Sequence, residues 1–349
     1  MDGTTDRPAP ATGRRPGRIV VGVDGSPSAD AAVAWAAREA ALWRTGLCIV
    51  HATDTSALYL RPEETERIVG AGRELLDRAA RAVAARHPQV PVVTELDDGT
   101  APAALRAAAA LTGTIVVGHR GLGGFSSLVL GSVGLELAAA ATAPVVVIRG
   151  TDEPPDDTDA PHAPHAPHAP YGRYGQREPH EPYEEPAEPA EAGVVLAAVR
   201  DAHDEGCARA AAREALLRKV PLRLVHVWST LPYLGGLRAP AGVEQVRPLT
   251  GIAAALRAEF PDLTVDTVGE KDRSVPGALV EASRHADLLV AGGRRAPGYL
   301  GPTLGRTTLG LLQHAHCPVE LIPRHSTASA PESVLESVLG AARGHGSTT

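Results

Sequence analysis

The sequence carries one pattern twice. Residues 36–54, AAREAALWRTGLCIVHATD, align without a gap with residues 211–229, AAREALLRKVPLRLVHVWS, at an offset of 175. Farther along, the apolar runs TIVVG and PVVVI recur as LLVAG and PVELI at an offset of 174. Self-similarity at the period of a whole domain indicates an internal duplication. We therefore predict two similar domains, at residues 18–150 and 192–324.

Each copy alternates short apolar runs with longer segments in which Ala, Val and Leu recur at helical spacing. Strands that alternate with helices indicate parallel βαβ units. Aromatic residues make up only 3% of the chain, and a core of Val, Leu, Ile and Ala suits a parallel sheet covered by Ala-rich helices. The predicted fold class is α/β, with two tandem doubly wound domains, each a five-stranded, mainly parallel sheet flanked by helices.

Three segments lie outside the two copies. Residues 1–17 are rich in Pro, Gly and Thr and predict a disordered tail, and residues 325–349 form a C-terminal tail with one short amphipathic stretch. Residues 151–191, which include APHAPHAPHAP, hold almost no aliphatic side chains and predict a disordered or polyproline-II linker. The histidines of this repeat favour an expanded linker over a weak metal site, because a three-residue period does not close a coordination shell.

Charge and cysteine content limit the location and the partners. The net charge of −7 leaves no basic footprint for nucleic acid. No apolar stretch is long enough to span a membrane, and no signal peptide is evident at the N-terminus. Cys48, Cys207 and Cys317 form no disulfide or zinc pattern, and we interpret Cys48 and Cys317 as buried structural thiols. These features predict a cytoplasmic protein without a nucleic-acid or membrane partner.

Residues 118–132, GHRGLGGFSSLVLGS, follow a predicted strand and precede a predicted helix. Glycines let an anion approach the main chain closely, and a helix N-terminus attracts phosphate. Ser132 is predicted to cap this helix and to donate its hydroxyl to a phosphate oxygen. The alternative is a purely structural loop, because the bare glycine spacing also arises by chance in a glycine-rich chain. The strand and helix on either side favour phosphate binding.

Both copies resemble the universal stress protein family, which has an adenine-nucleotide α-hydrolase-like fold. The resemblance is carried by VVGVDGS and by residues 116–149. These contain the family's ATP-binding signature, G-x2-G-x9-G-[ST], as Gly118, Gly121, Gly131 and Ser132. The resemblance implies an ATP-binding protein with a regulatory or stress-response role, with Mg²⁺ as an optional companion of the nucleotide. It also implies a pseudo-dimer of the two domains through their fifth strands, PVVVI and PVELI. A further homodimer and an unidentified regulatory protein partner stay open.

The resemblance also implies the residues of the nucleotide site. Asp24 matches an acidic position near the ribose, where it could also hold Mg²⁺ through water; its alternative is a turn residue. Arg120 could neutralise phosphate charge; its alternative is a solvated loop arginine. The predicted site residues are Gly22, Asp24, Ala52, Val117, Gly118, Arg120, Gly121, Gly131, Ser132 and Val133.

The second copy departs from the signature. By sequence, Gly22 becomes Ala197, Asp24 becomes Val199, Gly121 becomes Arg295 and Ser132 becomes Arg306, while Gly292 and Gly305 keep the other two glycines. We therefore predict one intact site, in the first copy.

A nucleotide-independent interaction module and a weak ATP-hydrolysing enzyme are the alternative functions. No nucleophile beside a base is recognisable in the sequence, so no catalytic residue is predicted. His51 and His226, at the ends of the second strands, are assigned a structural or hydrogen-bonding role.

Overall fold

The computed structural model describes residues 17–55, 61–109, 113–120, 130–140, 142–149, 193–229, 242–293 and 304–323. These residues form ten β-strands and eight α-helices. The first half contains β1 (Ile19–Gly22), α1 (Pro27–Trp43), β2 (Leu47–Ala52), α2 (Pro62–Arg86), β3 (Val92–Asp97), α3 (Ala101–Ala109), β4 (Thr114–Gly118), α4 (Ser132–Ala139) and β5 (Val145–Ile148). The second half contains β6 (Val195–Ala198), α5 (Glu205–Arg218), β7 (Leu222–Trp228), α6 (Gly242–Glu259), β8 (Val265–Lys271), α7 (Val275–Ala282), β9 (Leu288–Gly293), α8 (Arg306–His314) and β10 (Val319–Pro323).

All ten strands belong to one sheet, in the order β3-β2-β1-β4-β5-β10-β9-β6-β7-β8. Within each half the described strands are parallel and follow the doubly wound order 3-2-1-4-5. Buried Val, Leu, Ile and Ala side chains fill both faces of the sheet, as a parallel sheet covered by helices requires. The predicted fold class is confirmed.

The two halves meet where β5 pairs with β10, and this is an antiparallel pair, with Val145 opposite Leu321 and Val147 opposite Val319. We call this pair, together with the helices that pack over it, the seam. All four residues of β5 are buried. The pairing of fifth strands predicted from the sequence is therefore the arrangement in the structure, and it covers two strand edges that would otherwise be exposed.

The antiparallel seam reverses the direction of the second half. The carboxyl ends of β1, β2 and β4 lie on one side of the sheet, and those of β6, β7 and β9 lie on the opposite side, along the strand direction. The end of β5 and the start of β6 consequently lie on the same side of the sheet. They are three strand spacings apart, a distance of about 14 Å. Apart from Gly17, the segments predicted as tails and linker (1–17, 151–191 and 325–349) lie outside the described residues.

The structure corrects the sequence comparison of the first strands. Ile19 pairs with Leu47, and in the second half Val195 pairs with Leu222. Leu47 and Leu222 are equivalent by sequence, so Ile19 is equivalent to Val195 and not to Val194. The first strand of the second half is therefore shifted by one residue relative to the sequence alignment.

This shift changes two of the equivalences stated above. Gly22 corresponds to Ala198 rather than Ala197, and Asp24 corresponds to Arg200 rather than Val199. The carboxylate is lost in the second half, as predicted, but an exposed arginine stands in its place, paired with Asp201 at 2.8 Å.

Candidate functional site

The two innermost strands of the first half, β1 and β4, mark the point where the chain switches direction across the sheet. The helix after β1 packs on one face, and α3 and α4 pack on the other. In doubly wound sheets, ligands bind in the crevice at the carboxyl ends of these two strands. A cavity of about 360 Å³ opens there.

Nine of the ten site residues predicted from the sequence line this cavity. They come from the ends of three strands, from the segment after β4 and from the start of α4. They are Gly22, Asp24, Ala52, Val117, Gly118, Arg120, Gly131, Ser132 and Val133. The tenth, Gly121, lies outside the described residues.

One end of the cavity is apolar. Val50, Leu105 and Val117 are buried and present hydrocarbon surface. A Cβ added to Gly22 would lie 3.1 Å from Leu105 Cδ1, inside normal contact distance. The absence of a side chain at residue 22 thus lets α3 approach β1 and keeps this end of the cavity open.

A further part of the wall is the N-terminus of α4. Gly131 is the N-cap residue, with extended backbone angles (φ −67°, ψ 153°), and Leu135 N donates to Gly131 O at 3.0 Å. The prediction that Ser132 caps this helix is wrong: Ser132 is its first residue and is exposed. The backbone N–H groups of the first helical turn have no acceptor within the helix and are suited to an anion. Ser132, Val133 and Gly134 bring this turn to the cavity wall.

A neighbouring helix, α1, leaves no room for a side chain at Gly118. A Cβ at this position would lie 2.7 Å from the backbone carbon and oxygen of Ser28, and it would also collide with Ser28 Oγ. Ser28 Oγ in turn contacts His119 Nδ1 at 3.2 Å and accepts from Arg120 N at 3.3 Å. The first turn of α1 therefore fixes the backbone on which the glycine-rich segment begins.

Asp24 has a structural bond as well as a place in the cavity wall. Its Oδ1 accepts a hydrogen bond from Ser26 N at 2.9 Å, which stabilises the turn into α1. The turn also needs Gly25, whose φ of 85° disfavours other residues. Ser26 then caps α1 by accepting from Ala29 N at 3.2 Å. The turn role that the sequence left as an alternative is thus present alongside the cavity position.

His51 also lines the cavity, although the predicted site did not include it. Its Nδ1 lies 2.8 Å from Val23 O, so this nitrogen carries the proton and the ring orientation is fixed. The hydrogen-bonding role predicted for this histidine is confirmed. Its position directly before Ala52 at the end of β2 was the signal that could have placed it in the site.

Metal-ligating side chains do not gather in the described residues. No group of three or more His, Cys, Asp or Glu side chains there is arranged to hold a metal ion. None of the described helices is both long and apolar enough to cross a membrane. The three cysteines are buried thiols outside any disulfide, and burial raises the pKa of the Cys48 thiol to about 11 and that of Cys317 to about 12. The interpretation of these two as buried structural thiols is confirmed.

Comparison with known proteins decides the family. The model of the universal stress protein family matches the chain twice, at residues 16–149 and 192–323, which together exceed half of its length. The chain belongs to the universal stress protein family. Both halves of this stress protein carry the family's domain, in tandem.

A tandem relative and a solved structure agree with this assignment. A universal stress protein of Mycolicibacterium smegmatis is 28% identical over 327 residues, which cover 87% of this chain and 96% of the relative. A universal stress protein from Archaeoglobus fulgidus superimposes with a TM-score of 0.61 at 13% identity, over 88% of this chain and 98% of that one. The first comparison extends the likeness to both halves, and the second supports the fold.

Proposed function

We propose that this universal stress protein binds ATP in a regulatory or stress-response role, at a single site in a first domain formed by residues 18–150. A second domain, residues 192–324, would pair with the first and bind no ATP in the same manner. The observation that carries the proposal is the cavity at the β1–β4 switch point. It brings together residues that lie far apart in the sequence, and nine of them are the residues that the family resemblance assigns to a nucleotide site.

The cavity wall has apolar and hydrogen-bonding parts, which suit the base and the phosphates of a nucleotide. The apolar walls at Val50, Leu105 and Val117 suit the flat face of a purine, and Ala52 leaves room beside it. The first turn of α4 supplies backbone N–H groups for phosphate, with the exposed Ser132 hydroxyl as a further donor. A volume of about 360 Å³ lies within the range of about 300–1,000 Å³ typical of small-molecule sites.

Charge around the cavity supports phosphate at the α4 end. Arg120 stands in the segment between β4 and α4 and lines the cavity, where a guanidinium can form charge-assisted bonds with phosphate oxygens. Asp24 stands at the end of β1, where it can accept from a ribose hydroxyl. Mg²⁺ bound to the phosphates would contact Asp24 through water, because one carboxylate oxygen already accepts from Ser26.

The proposed role is binding and not turnover. The two histidines near the cavity are engaged in fixing the backbone, His51 through the Val23 carbonyl and His119 through Ser28. Regulation by ATP would therefore act through the occupancy of the site. A cytoplasmic location is part of the proposal and rests on the cysteine usage of the sequence.

Calorimetric titration of the full-length protein with ATP and Mg²⁺ tests the proposal. We expect one ATP per chain for the wild type. Gly121→Arg introduces the residue that the second copy carries, and it should abolish binding because an arginine side chain would occupy the space of the phosphates. Gly305→Ala is the matched control: a Cβ there meets nothing within 4 Å, and binding should be unchanged.

Four outcomes would contradict the proposal. Binding of two ATP molecules per chain would contradict the single site, and unchanged binding by Gly121→Arg would contradict its location. Absence of any binding at micromolar concentration would favour a nucleotide-independent interaction module. Steady ATP hydrolysis well above background would favour an enzyme.

A further inference from the structure

The seam buries a cluster of four ionisable side chains, three of which are acidic. Glu39 belongs to α1 of the first half, Glu214 and Arg218 belong to α5 of the second half, and Glu320 lies on β10 itself. Glu39 and Glu320 are each 7% exposed and Glu214 is 8% exposed. Glutamate is almost never buried to this degree unless it is paired. We call these four residues the seam cluster.

Arg218 connects the two halves within this cluster. Its Nη2 donates to Glu39 Oε1 at 2.7 Å, across the seam, and its Nη1 donates to Glu214 Oε2 on its own helix. One guanidinium therefore pairs with two carboxylates from different halves of the molecule. The fork of donors on arginine suits this double pairing, which a lysine could not reproduce.

Glu320 makes a third carboxylate beside a single buried cation. The elements that pack around it contribute Glu39 and the more exposed Arg38 from α1, and Glu214 and Arg218 from α5. Its strand neighbours are apolar, with Val146 opposite on β5 and Val290 beside it on β9. Three ionised carboxylates around one guanidinium would leave an excess of negative charge in a place that water barely reaches.

The acid–base properties of the cluster follow from this geometry. Burial raises the pKa of Glu320 well above its usual range, and the charge of Glu214 raises it further. Burial also raises the pKa of Glu214, and it raises that of Glu39 to about 7 although Arg218 opposes this change. Arg218 donates to Glu39 and Glu214, so the proton is best accommodated on Glu320.

We propose that the seam cluster is a proton-binding site that locks the two domains together. At neutral pH Glu320 is a neutral carboxylic acid, and Arg218 holds Glu39 and Glu214. When the pH rises, Glu320 releases its proton to solvent and three carboxylates then surround one guanidinium. Their repulsion separates α1 from α5 and weakens the joint between the domains.

The cluster also specifies which domains pair. The first half has Trp43 where the second has Arg218, and Val146 where the second has Glu320. A symmetric joint of two first domains would bring two Glu39 side chains together without the arginine. Pairing with a second domain supplies the arginine that Glu39 of the first domain needs, and the like-charged pairing of two first domains is disfavoured.

The pH dependence of thermal unfolding tests the proposal on the full chain. The folded state binds the proton more tightly than the unfolded state, so stability is greatest at acidic pH and falls as pH rises from about 4.5 through about 7 and above. We expect the wild-type midpoint to fall by about 5 °C between pH 6 and pH 8. Glu320→Gln, which is permanently neutral, should lose most of this fall.

Two further variants control the measurement. Glu259→Gln removes a carboxylate that is 34% exposed and paired with Arg209, and it should keep the wild-type pH dependence. Glu320→Val installs the residue that the first half carries at this position. It should show the same flattened profile as Glu320→Gln, and it stands in for that variant if the latter does not fold.

A direct observation of the proton completes the test. In the wild type with ¹³C-labelled glutamate carboxyls, one NMR signal should still be that of a carboxylic acid at pH 7, and it should vanish in the Glu320 variants. The proposal is overturned if every glutamate signal titrates in the ordinary acidic range. It is equally overturned if both Glu320 variants keep the wild-type pH dependence.

Discussion

The carboxyl edges of the two halves share a backbone and differ in chemistry. The helix N-caps Gly131 and Gly305 have almost the same angles, φ −67° and ψ 153° against φ −65° and ψ 151°. His51 Nδ1 donates to Val23 O, and His226 Nδ1 donates to the equivalent carbonyl of Val199, each at 2.8 Å. The second half has therefore kept the framework of the site.

The side chains at the equivalent positions of the two halves differ. Ala198 stands for Gly22, Val227 for Ala52 and Arg200 for Asp24, so the second edge has bulkier walls and a cation in place of a carboxylate. Trp228 follows and stacks on His226, with ring centroids 5.6 Å apart. The two halves therefore share the fold and the pairing at the seam, while the side chains at the candidate site and at its counterpart differ.

The largest effect is expected from a substitution at the seam, where the first half has Trp43 and the second half has Arg218. Arg218→Met leaves Glu39 and Glu214 buried without their cation, and we expect a loss of about 3–5 kcal/mol in the free energy of unfolding at pH 7. Urea denaturation measures this change. Arg209→Met, which removes two exposed pairs, should cost less than about 1 kcal/mol. Equal losses of stability in the two variants would show that the ion pairs of the seam cluster are not shielded from water.

A second prediction compares the stability changes caused by substituting Gly118 in the first half and Gly305 in the second half. Gly118→Ala forces a methyl group against the backbone of Ser28 and should lower the free energy of unfolding by about 1–3 kcal/mol. Gly305→Ala has open space, and the poorer N-cap that alanine makes should lower it by less than about 1 kcal/mol. Both are measured by urea denaturation. A stable Gly118→Ala protein that fails only in ATP binding would assign this glycine to the ligand instead of to α1.

The smallest expected effect concerns the connection between the halves. The end of β5 and the start of β6 are about 14 Å apart, whereas the 46 residues between them (149–194) could extend over about 150 Å. Replacing residues 151–191 by about ten Gly and Ser residues should therefore change the free energy of unfolding by less than about 1 kcal/mol, because loop-closure entropy varies slowly with length. ATP titration should give the same stoichiometry. Dimerisation of the shortened chain, seen by light scattering, would contradict the short span.

The sequence was sufficient for the fold class. The doubly wound, mainly parallel sheets and the pairing of the fifth strands followed from the alternation of elements and the family resemblance, and nine of the predicted site residues line one cavity. The register of β6 could not be obtained in this way. A strand buried on both faces has no polar alternation, so VVLAAV fits the first copy at two offsets equally well, and only hydrogen-bond pairing distinguishes them.

Two other features also required the structure. The cap of α4 was misplaced by one residue because Gly131 and Ser132 are both acceptable caps. The seam cluster joins residues from α1, α5 and β10 that meet only through the β5–β10 pair. Its sequence signal was present as a single acidic residue, Glu320, inside an otherwise apolar strand.

The antiparallel seam gives the molecule a polarity. The strands of the first half end on one side of the ten-stranded sheet, and those of the second half end on the opposite side. The full length of the strands therefore separates the candidate cavity from its counterpart in the second half. The side that carries the candidate cavity is also the side on which β5 ends and β6 begins.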